Sequence, residues 1–229
     1  MFKRDVVAVC VASVLVLASA ASSQETSKAP EADRWEAAIM AFEMQDQKSA
    51  PAAGANVFIG SSSIRMWQLE GSFPQHACVN RGFGGSQLGD SVKYAERIVI
   101  KYNPRVVVVY AGDNDLNAGK TPEAVFTDYR AFRDKVQAAL PETKIVFVAI
   151  KPSPSRWKLR EKALEANRRI REEIANGKNH VFVDVWTPML GDDGMPRPEL
   201  FLKDQLHMND AGYAIWSQLV EPHLATAGG

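Results

Sequence analysis

A single α/β domain, built as a three-layer α/β/α sandwich around a five-stranded parallel sheet, is predicted by three observations. From residue 56 onward, apolar runs of strand length alternate with amphipathic stretches of helical length. One run, Val106 to Tyr110, reads Val-Val-Val-Val-Tyr, the unbroken β-branched pattern of a strand covered on both faces. Short polar clusters stand past the strand-like runs, where an open α/β sheet binds ligands at the carboxyl ends of its strands. A chain of 229 residues, 46% hydrophobic and 24% charged, is long and apolar enough for one such core.

The elements follow in order. Residues 1–20 read as a signal peptide: Lys3 and Arg4 give a basic start, Val6 to Ala18 an apolar core, and Ala18-Ser19-Ala20 small residues for cleavage near Ala20 or Ala21. An uncleaved anchor is the rival, but the apolar core falls short of the roughly 20 residues that span a bilayer. The expectation is an exported protein, periplasmic or secreted, with no stable membrane anchor after cleavage. Residues 21–32, small and polar, read as a flexible N-terminus, and the folded domain is expected over 33–224. It opens with a helix over 33–47, whose Trp35, Ile39 and Phe42 share one face.

Strands are expected near 56–59, 77–80, 106–110, 145–150 and 181–185. Helices are expected over 88–101, 122–140, 157–175 and 210–224, each carrying an apolar stripe; that of 157–175 comprises Ala163, Leu164, Ile170 and Ile174. Thr121-Pro122-Glu123 is a helix start with a hydroxyl cap and proline in the first turn, and Asn209 is the candidate cap of the last helix. The loop Lys151-Pro-Ser-Pro-Ser155 follows a strand and is expected to wall the same crevice.

Charge and cysteine content exclude several classes. The formal net charge is zero and no basic stripe appears, so nucleic acid is not an expected partner. Cys10 lies in the leader, which leaves Cys78 alone, without a partner for a disulfide or a cysteine metal site.

Four polar clusters carry the chemistry: Gly60-Ser61-Ser62-Ser63, Gly84-Gly85-Ser86, Gly112-Asp113-Asn114-Asp115 and Asp204-Gln205-Leu206-His207. A serine attacks a carbonyl only when a base takes its proton, and the base works best when a third group fixes its tautomer. His207, three residues after Asp204, is the one histidine with a carboxylate at that spacing; His76, His180 and His223 lack it. Each cluster alone also has a bland reading. Gly-Ser-Ser-Ser suits a polar turn with a serine cap, Gly82 to Gly85 a tight turn, and Asn114 a turn residue bonded to its own backbone.

Their co-occurrence in this order resembles the SGNH (GDSL-type) hydrolases, in particular a bacterial exported subgroup. Phe58-Ile-Gly-Ser-Ser62-Ser-Ile-Arg-Met-Trp67 is similar to the first block of that family, Asn80-Arg-Gly-Phe-Gly-Gly85 to the second, Gly112-Asp-Asn114-Asp to the third and Asp204-Gln-Leu-His207 to the last, over about residues 56–216. The resemblance implies a flavodoxin-like SGNH hydrolase fold. It also implies a serine esterase with Ser62 as nucleophile, His207 as base and Asp204 as its orienter. The implied oxyanion hole is formed by the N–H groups of Ser62 and Gly85 and the amide of Asn114. The family's usual Gly-Asp-Ser is here Gly60-Ser61-Ser62, so the acid beside the nucleophile is absent and Ser61 and Ser63 stand as alternative assignments.

Other motifs fail on spacing. Gly112 to Thr121 is too long for a phosphate loop, Ala118 and Ala124 stand where a calcium loop needs glycine and glutamate, and neither His-Glu-x-x-His nor a cysteine pair occurs. No cofactor and no metal is expected. The substrate is expected among short-chain esters, acetylated sugars or lysophospholipids, with Arg65, Trp67, Arg156 and Trp157 as candidates for shaping its pocket. Two other readings stay open: an O-acyltransferase of the same fold, and a non-catalytic exported binding module.

Overall fold

Five parallel strands form one sheet in the order β2-β1-β3-β4-β5: β1 (Asn56–Gly60), β2 (Cys78–Gly82), β3 (Val106–Tyr110), β4 (Lys144–Val148) and β5 (His180–Val183). The computed structural model describes residues 1–2 and 33–226. Contacts divide the chain into two units, 1–33 and 34–229, and every element named here lies in the second. Apart from Met1 and Phe2, the segments read as signal peptide and flexible N-terminus lie outside the described residues. No helix among the described residues is long and apolar enough to cross a membrane.

Side chains alternate across the sheet, so each strand feeds two cores. Val57, Ile59, Val107, Val109, Ile145 and Phe147 face one side. There they pack with residues of α1 (Glu36–Lys48), α4 (Leu88–Ile98), α6 (Pro122–Ala139) and α7 (Arg160–Ala175). Phe58, Val106, Val108, Tyr110, Val146 and Val148 face the other side, against α2 (Ser62–Arg65), α3 (Leu69–Ser72) and α8 (Asp210–Val220). Each large apolar side chain so buried contributes about 1.5–3 kcal/mol of transfer free energy. This is the three-layer arrangement expected.

The strands and long helices lie where the apolar pattern puts them, with local differences that have physical causes. The stretch expected as a helix over 157–175 begins as a 3-10 turn, Pro154–Leu159, and becomes α-helical at Arg160. The last helix stops at Val220 because Pro222 cannot continue it, and a 3-10 turn over Glu221–His223 follows. Leu164, placed on the buried stripe of α7, is 41% exposed: it sits next to Ala163, and successive helical residues point about 100° apart. The caps are as read: Thr121 accepts from Ala124 N at 3.1 Å, and Asn209 from Ala211 N and Gly212 N. Cys78 is half-buried, and burial pushes its thiol up to about 12.

The strand order reverses between β1 and β3, whose registers run Asn56↔Val106 to Gly60↔Tyr110. A doubly wound sheet opens a crevice at such a switch point, and the chain leaves β1 and β3 directly into the serine and asparagine clusters.

Candidate active site

Gly60 sets the exit from β1. Its φ is +140°, and a β-carbon there would stand 1.9 Å from the Tyr110 carbonyl oxygen, so no other residue fits without moving the strand. Ser61 N donates to that same oxygen at 3.0 Å, and the chain turns at once into α2 with Ser62 as its first residue. Of the three serines, Ser61 and Ser63 are buried; Ser62 is half-buried and lines an open cleft of about 480 Å³ with Gly85, Asn114 and His207.

Asp204 and His207 lie on the loop before α8. The loop is held by Leu202 N donating to His207 O at 2.7 Å and by an antiparallel bridge between Phe201 and Met208. Asp204 Oδ1 accepts from the backbone N–H of Leu206 and His207, at 3.0 and 2.9 Å, and Gln205 adopts a φ of +55° to close this tight turn. His207 Nδ1 then meets Asp204 Oδ2 at 2.5 Å, and His207 Nε2 meets Ser62 Oγ at 2.9 Å, across 145 residues of sequence. With the carboxylate on Nδ1, the proton belongs there and Nε2 is free to accept from the serine hydroxyl. Burial opposes ionisation of Asp204, but the His207 ring and the two backbone N–H bonds outweigh it and hold the carboxyl at about 2.

Asn114 opens the short helix α5 (Asp113–Asn117) after β3. Its Nδ2 donates to Ser86 O at 3.0 Å and its Oδ1 accepts from Arg156 Nη2 at 2.9 Å. Gly85, with φ +82°, presents its backbone beside it, and among the described residues neither Gly85 N–H nor Ser62 N–H donates to a protein acceptor. Two backbone donors and one side-chain amide therefore border the cleft at Ser62.

Behind this wall lies a charged layer that the residue pattern did not disclose. Lys151 Nζ is buried and reaches Ser63 Oγ at 3.1 Å, Tyr110 OH at 3.0 Å and Asp113 Oδ2 at 3.5 Å. Arg156 Nη1 stands 3.0 Å from the same Asp113 oxygen. Burial would push the Asp113 carboxyl up, but Lys151, Arg156 and the N–H of Asn114 prevail and lower it; burial lowers Lys151 and raises Tyr110. The loop Lys151 to Ser155 does not wall the cleft as expected: Lys151 is buried, Pro152 and Ser153 line a neighbouring cavity, and only Arg156, just beyond the loop, reaches the cleft. The position of these charges after a strand was the one hint of the charged layer, because their partners lie about 40 or more residues away.

Two pocket candidates are corrected. Trp67 is 2% exposed and belongs to the core, its ring 5.4 Å from Phe58 and 5.5 Å from Trp216 and its Nε1 donating to Ser72 Oγ. Trp157 stacks on Trp186 at 5.9 Å and lines a neighbouring cavity. Arg65 and Arg156 do line the cleft. The other histidines lie elsewhere: His76 bonds Ala225 O, His180 meets Gln137, and His223 sits in the turn after α8. Among the described residues no group of three or more His, Cys, Asp or Glu could hold a metal ion.

The fold recurs in solved structures. A Streptococcus pneumoniae protein provisionally named a platelet activating factor is 22% identical, with a TM-score of 0.73, covering 82% of this chain and 92% of its own. A GDSL-like lipase from Bacteroides thetaiotaomicron is 21% identical, with a TM-score of 0.70 and coverage of 81% and 96%. A variant of an acetyl-xylooligosaccharide esterase from Geobacillus is 17% identical, with a TM-score of 0.60 and coverage of 78% and 97%. No curated protein matches the chain. The model of the GDSL-like lipase/acylhydrolase family matches residues 54–215, which include all four polar clusters. The chain therefore belongs to the GDSL-like lipase/acylhydrolase family, whose members are serine hydrolases acting on ester bonds.

Proposed function

We propose that the protein hydrolyses carboxylic esters through an acyl-enzyme on Ser62. The observation that carries this reading is the unbroken chain of bonds from Asp204 through His207 to Ser62 Oγ at the mouth of a cleft. His207 Nε2 takes the hydroxyl proton as Ser62 Oγ attacks the ester carbonyl, and Asp204 holds the ring and balances the positive charge that forms. The oxyanion is bound by the N–H groups of Ser62 and Gly85 and by Asn114 Nδ2. His207 then protonates the leaving alcohol, water attacks the acyl-enzyme with His207 again as base, and the carboxylic acid departs. The substrate is a short-chain ester, an acetylated sugar or a lysophospholipid.

A fluorophosphonate reagent tests the nucleophile, since an activated serine displaces its fluoride and keeps the phosphonyl group. Mass spectrometry of the digested protein is expected to find the label on Ser62, and to find none in the His207→Ala protein. Label on Ser61 or Ser63, or none at all, would contradict the assignment. Product analysis with sugar alcohols present separates hydrolysis from acyl transfer. Export is part of the same proposal: the mass of the protein recovered outside the cytoplasm is expected to begin near Ala21.

A further inference from the structure

Among the described residues, Arg65 at the cleft and Arg34 beside its glycine turn have no carboxylate partner. Arg65, three residues past Ser62 on α2, is exposed and lines the cleft. It lies against the two-glycine turn: a β-carbon built on Gly84 would stand 2.8 Å from Arg65 Nε. Arg34 approaches the next glycine, and a β-carbon on Gly85 would stand 3.3 Å from Arg34 Nη2. The absence of side chains at these two positions lets two cations close on the segment whose N–H faces the reacting carbonyl.

Their lack of acid partners sets them apart. Among the described residues, ten arginines have a carboxylate within 4.0 Å; Arg97 with Glu36 and Glu43, and Arg168 with Glu165 and Glu172, are examples. Arg105 bonds the Thr226 carbonyl. Arg34 and Arg65 have no such carboxylate, and Arg34 rests on the Trp35 ring at 4.4 Å. The acids near the cleft are already engaged, Asp204 by His207 and Asp113 by both Lys151 and Arg156. A chain of zero formal charge thus gathers unmatched positive charge at the one cleft that holds Ser62.

A planar guanidinium binds carboxylate or phosphate oxygens through paired N–H bonds, whereas a neutral acetylated sugar offers it nothing of that strength. We infer that the ester this site takes carries an anionic group, a carboxylate or a phosphate, held by Arg65 with Arg34 beside it. The inference rests on the esterase reading above and gives it a substrate class.

The test compares isosteric pairs at low ionic strength: para-acetoxybenzoate against its methyl ester, and phenyl glutarate against methyl phenyl glutarate, which moves the charge to the acyl side. In at least one pair the anion is expected to have a kcat/KM about 10-fold or more above its neutral partner, the scale of one charge-assisted bond. The advantage should shrink as salt screens the charges. In Arg65→Gln the anion-to-neutral ratio should fall by about 10-fold, and in Arg34→Gln by less. Para-acetoxyphenyl phosphate supplies the second anion; a further advantage for it assigns phosphorylated esters as the source, and a disadvantage assigns carboxylated ones. NMR titration of the same ligands into folded Ser62→Ala protein keeps the two readings apart. Tighter anion binding that Arg65→Gln abolishes supports the inference even if no ester is cleaved, which would fault the esterase reading alone. Equal binding of anion and neutral ligand, or a ratio untouched by Arg65→Gln, overturns it.

Discussion

Asn114 has one amide to orient, and Arg156 decides which way it faces. With Oδ1 accepting from Arg156 Nη2 and Nδ2 donating to Ser86 O, the second Nδ2 hydrogen stays available to the proposed oxyanion. On a neutral ester, Asn114→Ala is expected to lower kcat by about 100- to 1,000-fold with little change in KM, the loss associated with one oxyanion donor. Arg156 works through Asn114, so Arg156→Gln should also act on kcat more than on KM, by about 10-fold, and Arg156→Lys should recover part of it. A drop confined to KM would assign Arg156 to ground-state binding instead. That Ser62, His207, Gly85 and Asn114 would meet at one cleft, with Asp204 bonded to His207, was legible from the residue types and the order of the four polar clusters. Arg156 was read only as a pocket candidate and Lys151 only as part of a crevice wall; their contacts with Asn114, Asp113 and Ser63 were not legible, because they depend on how the loop after β4 packs against the strand ends.

At the scale of the element, the turn from β1 into α2 places the proposed nucleophile, and Gly60 is its hinge. Gly60→Ala would drive a β-carbon into the Tyr110 carbonyl in a backbone region that side chains rarely adopt. A loss of about 3 kcal/mol or more is expected in urea unfolding, with the β1–β3 pairing disturbed. A loss under about 0.5 kcal/mol would show that the strand end is softer than its packing suggests. The five strands and long helices were readable because an apolar run of strand length and a helical stripe are local signals. The short helices α2, α3 and α5 span four or five residues, too few for a stripe to register, and α2 and α5 form where β1 and β3 end at the turns of the site.

For the molecule as a whole, acid should act in two stages. Burial pushes His180 and His223 below their ordinary value of 6.5, so the native state holds these protons less readily than the unfolded chain. The stability they contribute is present above pH 6.5 and falls as pH drops through their native values. Asp204 and Asp113 are held below 3.8, Asp204 at about 2, so their contribution is present above 3.8 and is lost as pH falls towards 2. Asp115, raised by burial, works in the opposite direction and offsets part of this loss. A urea midpoint that begins to decline below pH 6.5 and steepens below 3.8 is the expected profile; a midpoint rising on acidification would contradict it.

The proposed chemistry requires Ser62 as the attacking group. The most direct measurement is the rate of para-nitrophenyl acetate hydrolysis by the wild-type protein and by Ser62→Ala, with folding of both checked by circular dichroism. The expected result is a wild-type rate well above buffer and a folded Ser62→Ala protein slower by about 10,000-fold or more. A folded Ser62→Ala protein that hydrolyses the ester at a rate near wild type would contradict the account.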